Sequence, residues 1–170
     1  MEEKIKSVCD RTYFSMLFDT HAETLRNFLY YRCRDMQQAE DLTQEAFLKL
    51  WKNCKKVLYE KARGFLFAVA KNAFYNQVAH NKVVLEYTRL PHSGIDPETP
   101  QFRLEEKEYM ERLQGAINEL PDGQREVFLM NRVDKVTYKE IAVMLGISET
   151  AVEKRMQKAL IKMRKIVKNI

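Results

Sequence analysis

Glycine and proline are scarce in this chain of 170 residues, at five and four. Sandwiches, barrels and glycine-loop nucleotide folds need many turn residues, so their shortage excludes those architectures. No apolar run approaches the ~18–20 residues of a membrane span. The first residues, MEEKIKSVCD, lack the apolar core of a signal peptide, so a cytoplasmic location is expected. Cysteine is limited to Cys9, Cys33 and Cys54, an odd number without metal-ligand spacing, and all three are expected as reduced thiols. His21, His80 and His92 are equally scattered, so neither a metal site nor a cofactor is expected.

What is present is helix-forming. Leu, Glu, Lys, Ala, Met, Gln and Arg dominate, and 45% of residues are hydrophobic, enough to bury a core. The expectation is an all-α protein. Charge is unevenly spread around a net +5: residues 124–170 hold 11 Lys+Arg against 5 Asp+Glu, whereas residues 81–123 hold 5 against 9. A basic C-terminal third points to a polyanion partner such as nucleic acid. Pro91, Gly94, Pro97 and Pro100 interrupt helical periodicity in LPHSGIDPETP. Two helical domains, 10–82 and 105–168, joined by a linker over 83–104, are therefore expected.

In the second domain Thr137-Tyr138-Lys139-Glu140 fits a capping box. Gly146 ends the helix that follows, and Ser148 is a good N-cap for the next. Ala142, Gly146 and Val152 have the spacing of a helix-turn-helix, with Ile141, Leu145 and Ile147 filling its core. Val152, Met156, Ala159, Leu160 and Met163 should face inward. Glu149, Thr150, Glu153, Lys154, Gln157 and Lys158 should face outward, where Lys, Gln and Glu can read base edges in a major groove. Arg155, Lys162, Arg164 and Lys165 are better placed for phosphates or solvent.

The first domain offers two more faces. In AEDLTQEAFLKLW, 39–51, Leu42, Ala46 and Leu50 form an apolar stripe with Phe47 and Trp51 beside it, while Asp41, Gln44, Glu45 and Leu48 share the opposite side. Nothing would bury one of these carboxylates and raise its pKa, so no catalytic pair is expected. In RGFLFAVAKNAFYNQVAHNK, 63–82, Phe65, Leu66, Phe67, Val69, Ala70, Ala73, Phe74 and Val78 cover most of the circumference. Ala68, Lys71, Asn72, Tyr75, Asn76 and Ala79 form the remainder. An aromatic face, two amides and a lysine suit an unstacked base, and a core helix with a polar exit face would carry the same pattern.

In this order the motifs, with INELPDGQREVFLMNRVDKVTYKEIAVMLGISETAVEKRMQKALIKMR as the last, resemble the bacterial extracytoplasmic-function (group four) sigma factors of the sigma-seventy type, over about Tyr13 to Arg164. The resemblance implies a sigma-two-like domain followed by a sigma-four-like domain, and no enzymatic activity. It implies core RNA polymerase (β′ clamp helices and β subunit) and promoter DNA as partners, with an anti-sigma factor that can be membrane-bound. Asp41, Gln44, Glu45 and Leu48 fall where the family docks on the clamp helices. Lys71, Asn72, Tyr75 and Asn76 fall at the melted minus-ten strand, and KKVLYEKAR, 55–63, at the loop that captures a flipped base. Thr150, Glu153, Lys154, Arg155, Gln157 and Lys158 fall at the minus-thirty-five element. The chain departs from the family at Phe65, usually tryptophan, at Ala68, often basic, and at Thr150-Ala151-Val152, usually Gly-Thr-Val. Two rival readings are a stand-alone helix-turn-helix regulator of duplex DNA and a helical adaptor without a DNA target.

Overall fold

The computed structural model describes residues 6–80 and 100–166. Among them the regular elements are all helical: α1 (Arg11–Cys33), α2 (Met36–Lys52), a 3-10 turn (Tyr59–Lys61), α3 (Ala62–His80), α4 (Pro100–Asn118), α5 (Asp122–Arg132), α6 (Tyr138–Leu145) and α7 (Glu149–Ile166). Most of the linker expected over 83–104, with Pro91, Gly94 and Pro97, lies outside the described residues. At its far end α4 begins at Pro100 rather than near 105. Proline suits a first helical turn, where its missing N–H would have had no intrahelical acceptor.

Local chemistry sets the helix ends. The Asp10 carboxylate accepts from Thr12 N–H at 2.8 Å to start α1. Arg34 ends α1 in the left-handed conformation, φ 58°, with its N–H donating to Tyr30 O. Asp35 immediately caps α2 by accepting from Gln38 N–H. This tight reversal folds α2 back along α1, and α3 closes the layer. Leu25, Phe28, Leu42, Leu50, Leu66 and Phe67 make its core. The capping box at Thr137 and Glu140 is formed, and Gly146 turns the chain at φ 66°, which a β-carbon would strain. Ile141, Val152, Met156, Ala159 and Met163 are buried around Met130 and Val127 of α5.

Two expectations are corrected. Cys9 and Cys54 form a disulfide, with their Cα atoms 4.9 Å apart, and only Cys33 is a free thiol. The reason is the hairpin: antiparallel α1 and α2 bring the segment before α1 beside the segment after α2. Val78, grouped with the apolar residues around α3, is 48% exposed.

The two halves are in contact. α1 packs against α5, and α3 against α6.

Candidate nucleic-acid interface

On α2 the apolar stripe is buried, Leu42, Ala46 and Leu50 completely. The opposite side is open: Asp41, Gln44 and Leu48 are exposed, Leu48 at 59%, and Glu45 is half-buried. Gln37 donates to the Asp41 carboxylate at 3.3 Å, and Lys49 pairs with Glu45 at 2.6 Å. Glu45 thus has a neighbour on its own helix. Such exposed pairs contribute little to stability, so the face remains available.

On α7 the sorting follows the helical repeat. Val152, Met156, Ala159 and Met163 are buried, and Leu160 is half-buried. Thr150, Glu153, Lys154, Gln157 and Lys158 all project into solvent. Ser148 Oγ accepts from Ala151 N–H at 3.2 Å, so the helix starts where its N-cap indicates. Arg155 departs from its expected open position. It is half-buried, with Nη1 3.2 Å from where a β-carbon on Gly123 would stand. Position 155 lies three residues beyond Val152 and four before Ala159, on the inward side. Gly123 is the residue that leaves room for it at the start of α5.

On α3 the polar face is real. Ala68, Asn72, Tyr75 and Asn76 are exposed, and Lys71 is half-buried. Two of these side chains are engaged by other elements. Lys71 Nζ donates to Leu145 O at 3.3 Å, at the end of the first helix of the helix-turn-helix. Arg32 Nη1 donates to Tyr75 Oη at 2.5 Å, and its guanidinium stacks over the Tyr75 ring at 5.0 Å.

Arg32 is the centre of a polar seam between the halves. Its other guanidinium nitrogens hold Glu126, Nε to Oε1 at 2.5 Å and Nη2 to Oε2 at 2.8 Å, with the Glu126 side chain fully buried. Asn27 and Tyr31 donate to Asp134 Oδ1 at 2.9 and 3.0 Å. Arg125 Nε donates to Tyr31 O at 2.9 Å, and Arg63 pairs with Glu140 at 3.5 Å. Burial raises the pKa of Glu126 even against the charge of Arg32, and burial likewise raises that of Asp134. For these two carboxyls burial outweighs their partners, whereas the pairing of Arg32 outweighs its own burial.

Known proteins show which family the chain belongs to. Residues 17–83 match the model for Sigma-70 region 2, and residues 110–163 match that for Sigma-70, region 4. The chain is 30% identical over 150 residues to the ferric citrate uptake sigma factor FecI of Escherichia coli, covering 86% of each chain. The chain belongs to the extracytoplasmic-function sigma factors of the sigma-70 type. This sigma factor is also 28% identical over 133 residues to SigM of Bacillus subtilis, across 78% of its length and 82% of that relative's. Its fold matches that of RpoE from Bartonella quintana, solved with the anti-sigma factor NepR, at a TM-score of 0.64 and 20% identity over 92% of this chain and 97% of that one. It is a transcription initiation factor with a DNA-binding helix-turn-helix in its second half. Among the described residues no helix is long and apolar enough to cross a membrane.

Helical periodicity marks which sides of α2, α3 and α7 are exposed, and nothing periodic marks the seam. Arg32, Glu126 and Asp134 follow no periodic pattern that would mark them, and their partners lie about a hundred positions away.

Proposed function

We propose that this sigma factor docks on core RNA polymerase through Asp41, Gln44, Glu45 and Leu48, which meet the β′ clamp helices, and that its second domain reaches the β subunit. Thr150, Glu153, Lys154, Gln157 and Lys158 enter the major groove of the minus-thirty-five element, and Arg155 supports α7 from behind. Lys71, Asn72, Tyr75 and Asn76, with the preceding segment 55–63, hold the non-template strand of the minus-ten element once it is unpaired. The functional units are residues 10–82 and 105–168, joined by the segment between them. Trapping an unstacked base offsets the few kcal/mol that unpairing costs, and so biases the duplex towards the open state. The nucleotidyl transfer belongs to the polymerase, and the factor itself is no enzyme. It works in the cytoplasm, and an anti-sigma factor is its expected inhibitor.

The observation that carries this reading is the division of α7. One side is locked into the core by Val152, Met156 and Ala159, and the other presents five uncovered polar side chains in a row. The rigid inner side gives the outer one a fixed register on DNA.

Separating the two kinds of DNA contact tests it. Asn72→Ala in the reconstituted holoenzyme should leave promoter association nearly unchanged and slow open-complex formation, read by permanganate footprinting of melted thymines. Lys154→Ala or Lys158→Ala should weaken association first. A lost base contact relaxes one upstream position by about 1–3 kcal/mol, and a lost phosphate contact weakens all sequences alike and flattens the salt slope. Association lost in Asn72→Ala and melting lost in Lys158→Ala would reverse the assignment of the two domains.

A further inference from the structure

At one edge of the first domain the segment before α1 is fastened to the segment after α2. Ser7 and Leu58 form an antiparallel bridge, and Val8 is buried. Lys6 Nζ lies 5.5 Å over the Tyr59 ring, and Tyr13 meets the same ring edge-on at 5.6 Å. The covalent tie at this edge is the Cys9–Cys54 disulfide. Both cysteines are half-buried, so a small reagent can reach them. Cys33 is different: it is buried, its thiol donates to Asp35 O at 3.0 Å, and burial raises its pKa. A thiol reagent therefore meets one reachable pair and one buried, unreactive thiol.

The fastened segment runs directly into α3 through the turn at Tyr59–Lys61. We propose that Cys9 and Cys54 form a reversible dithiol–disulfide site, oxidised by a low-molecular-weight disulfide, which sets how firmly the base-capturing segment 55–63 is held. This rests on the reading of that segment and α3 as the minus-ten strand site. In the oxidation, one cysteine thiolate attacks the reagent's S–S bond, forming a mixed disulfide and releasing one small thiolate. The second cysteine thiolate then attacks the cysteine sulfur of that mixed disulfide and releases the other. The protein loses two protons and two electrons, and the reagent is reduced to two thiols. The closed bond restricts the segment before it meets DNA, so less ordering is left to do on binding. With the bond open, the remaining ties are one bridge, the buried Val8 side chain and the ring contacts at Tyr59, so the terminal segment is held less firmly.

The test treats the free factor with oxidised glutathione or with dithiothreitol, removes the reagent, and only then adds core polymerase. Alkylation after unfolding in denaturant, so that buried Cys33 is also reached, followed by mass measurement should count one free thiol in the first preparation and three in the second. Holoenzyme from the oxidised factor should bind a single-stranded minus-ten oligonucleotide roughly three- to tenfold more tightly than holoenzyme from the reduced factor. The Cys9→Ser/Cys54→Ser double variant should show the weaker value after either treatment, with unchanged affinity for core polymerase. Three free thiols after oxidised glutathione, or equal affinities with the bond shown to have formed, would overturn the redox site. Holoenzyme that assembles but binds the strand in neither state would overturn the minus-ten assignment as well.

Discussion

His21 lies half-buried on α1, and its imidazole is held below its ordinary pKa of 6.5, first by burial and then by the charge of Arg63. Below pH 6.5 the unfolded chain takes up a proton at this position that the folded chain resists. Stability is therefore full above that value and falls as the pH drops towards the folded pKa. The melting temperature of the wild type should decline between pH 7.5 and 5.5, and His21→Gln should flatten that decline. Equal slopes for the two proteins would mean that this histidine does not gate the response. Arg32 makes the opposite use of burial. Burial alone would lower its pKa, but Glu126 and Tyr75 more than offset the penalty, so it stays a fixed cation in the seam. Arg155 differs from the other charged residues of α7 in its surroundings. The helical repeat placed it for phosphate or solvent, and it is half-buried, between Val152 and Ala159 and against Gly123.

The helix-turn-helix was the element most legible in the sequence, because each of its signals is local. Thr137 Oγ1 accepts from Glu140 N–H at 3.3 Å, and the Glu140 carboxylate accepts from Thr137 N–H at 3.1 Å and from its hydroxyl at 2.7 Å. These bonds hold the Glu140 carboxyl below its usual pKa, so the cap contributes above the ordinary carboxylate range and is lost as the pH falls through the lowered value. Thr137→Ala removes the half of the box made by the hydroxyl and leaves the backbone N–H to Glu140, and should cost about 1–2 kcal/mol in urea unfolding, whereas Thr137→Ser should recover most of it. An alanine variant as stable as the wild type would show that the box is formed without stabilising α6. The stripe of α2 was legible for the same reason, a repeat that a packed helix must obey. The start of α4 at Pro100 was not, since a proline reads equally as the end of a linker or the first turn of a helix. The Cys9–Cys54 pairing was hidden because it depends on the α1–α2 reversal at Arg34, a tertiary event 45 positions wide.

At the scale of the molecule, the contact of the two halves bears on the function proposed for their faces. Lys71 and Tyr75, assigned to single-stranded DNA, are bonded to Leu145 O and to Arg32 in this arrangement. Binding the strand with both residues requires the second half to move away, which fits a seam of ion pairs and hydrogen bonds better than an apolar interface. Glu126→Ala would leave Arg32 buried without its carboxylate and should open the seam, seen by X-ray scattering as a larger radius of gyration of the free factor with helicity unchanged. Replacing both with apolar residues, Arg32→Met with Glu126→Leu, should keep it closed and slow assembly with core polymerase. A radius that stays at the wild-type value in Glu126→Ala would show that the pair does not hold the halves together. The central claim is that this chain gives promoter specificity to core polymerase through a docking face on α2. In vitro transcription with purified core polymerase on a genomic fragment library tests it most directly. Discrete new transcripts are expected with the wild-type factor and none with Asp41→Lys/Glu45→Lys, a charge reversal that should leave helicity intact and reduce affinity for core polymerase by about 2–5 kcal/mol. Site-specific binding of duplex DNA by the factor alone, with no association with core polymerase and no new transcripts, would contradict it.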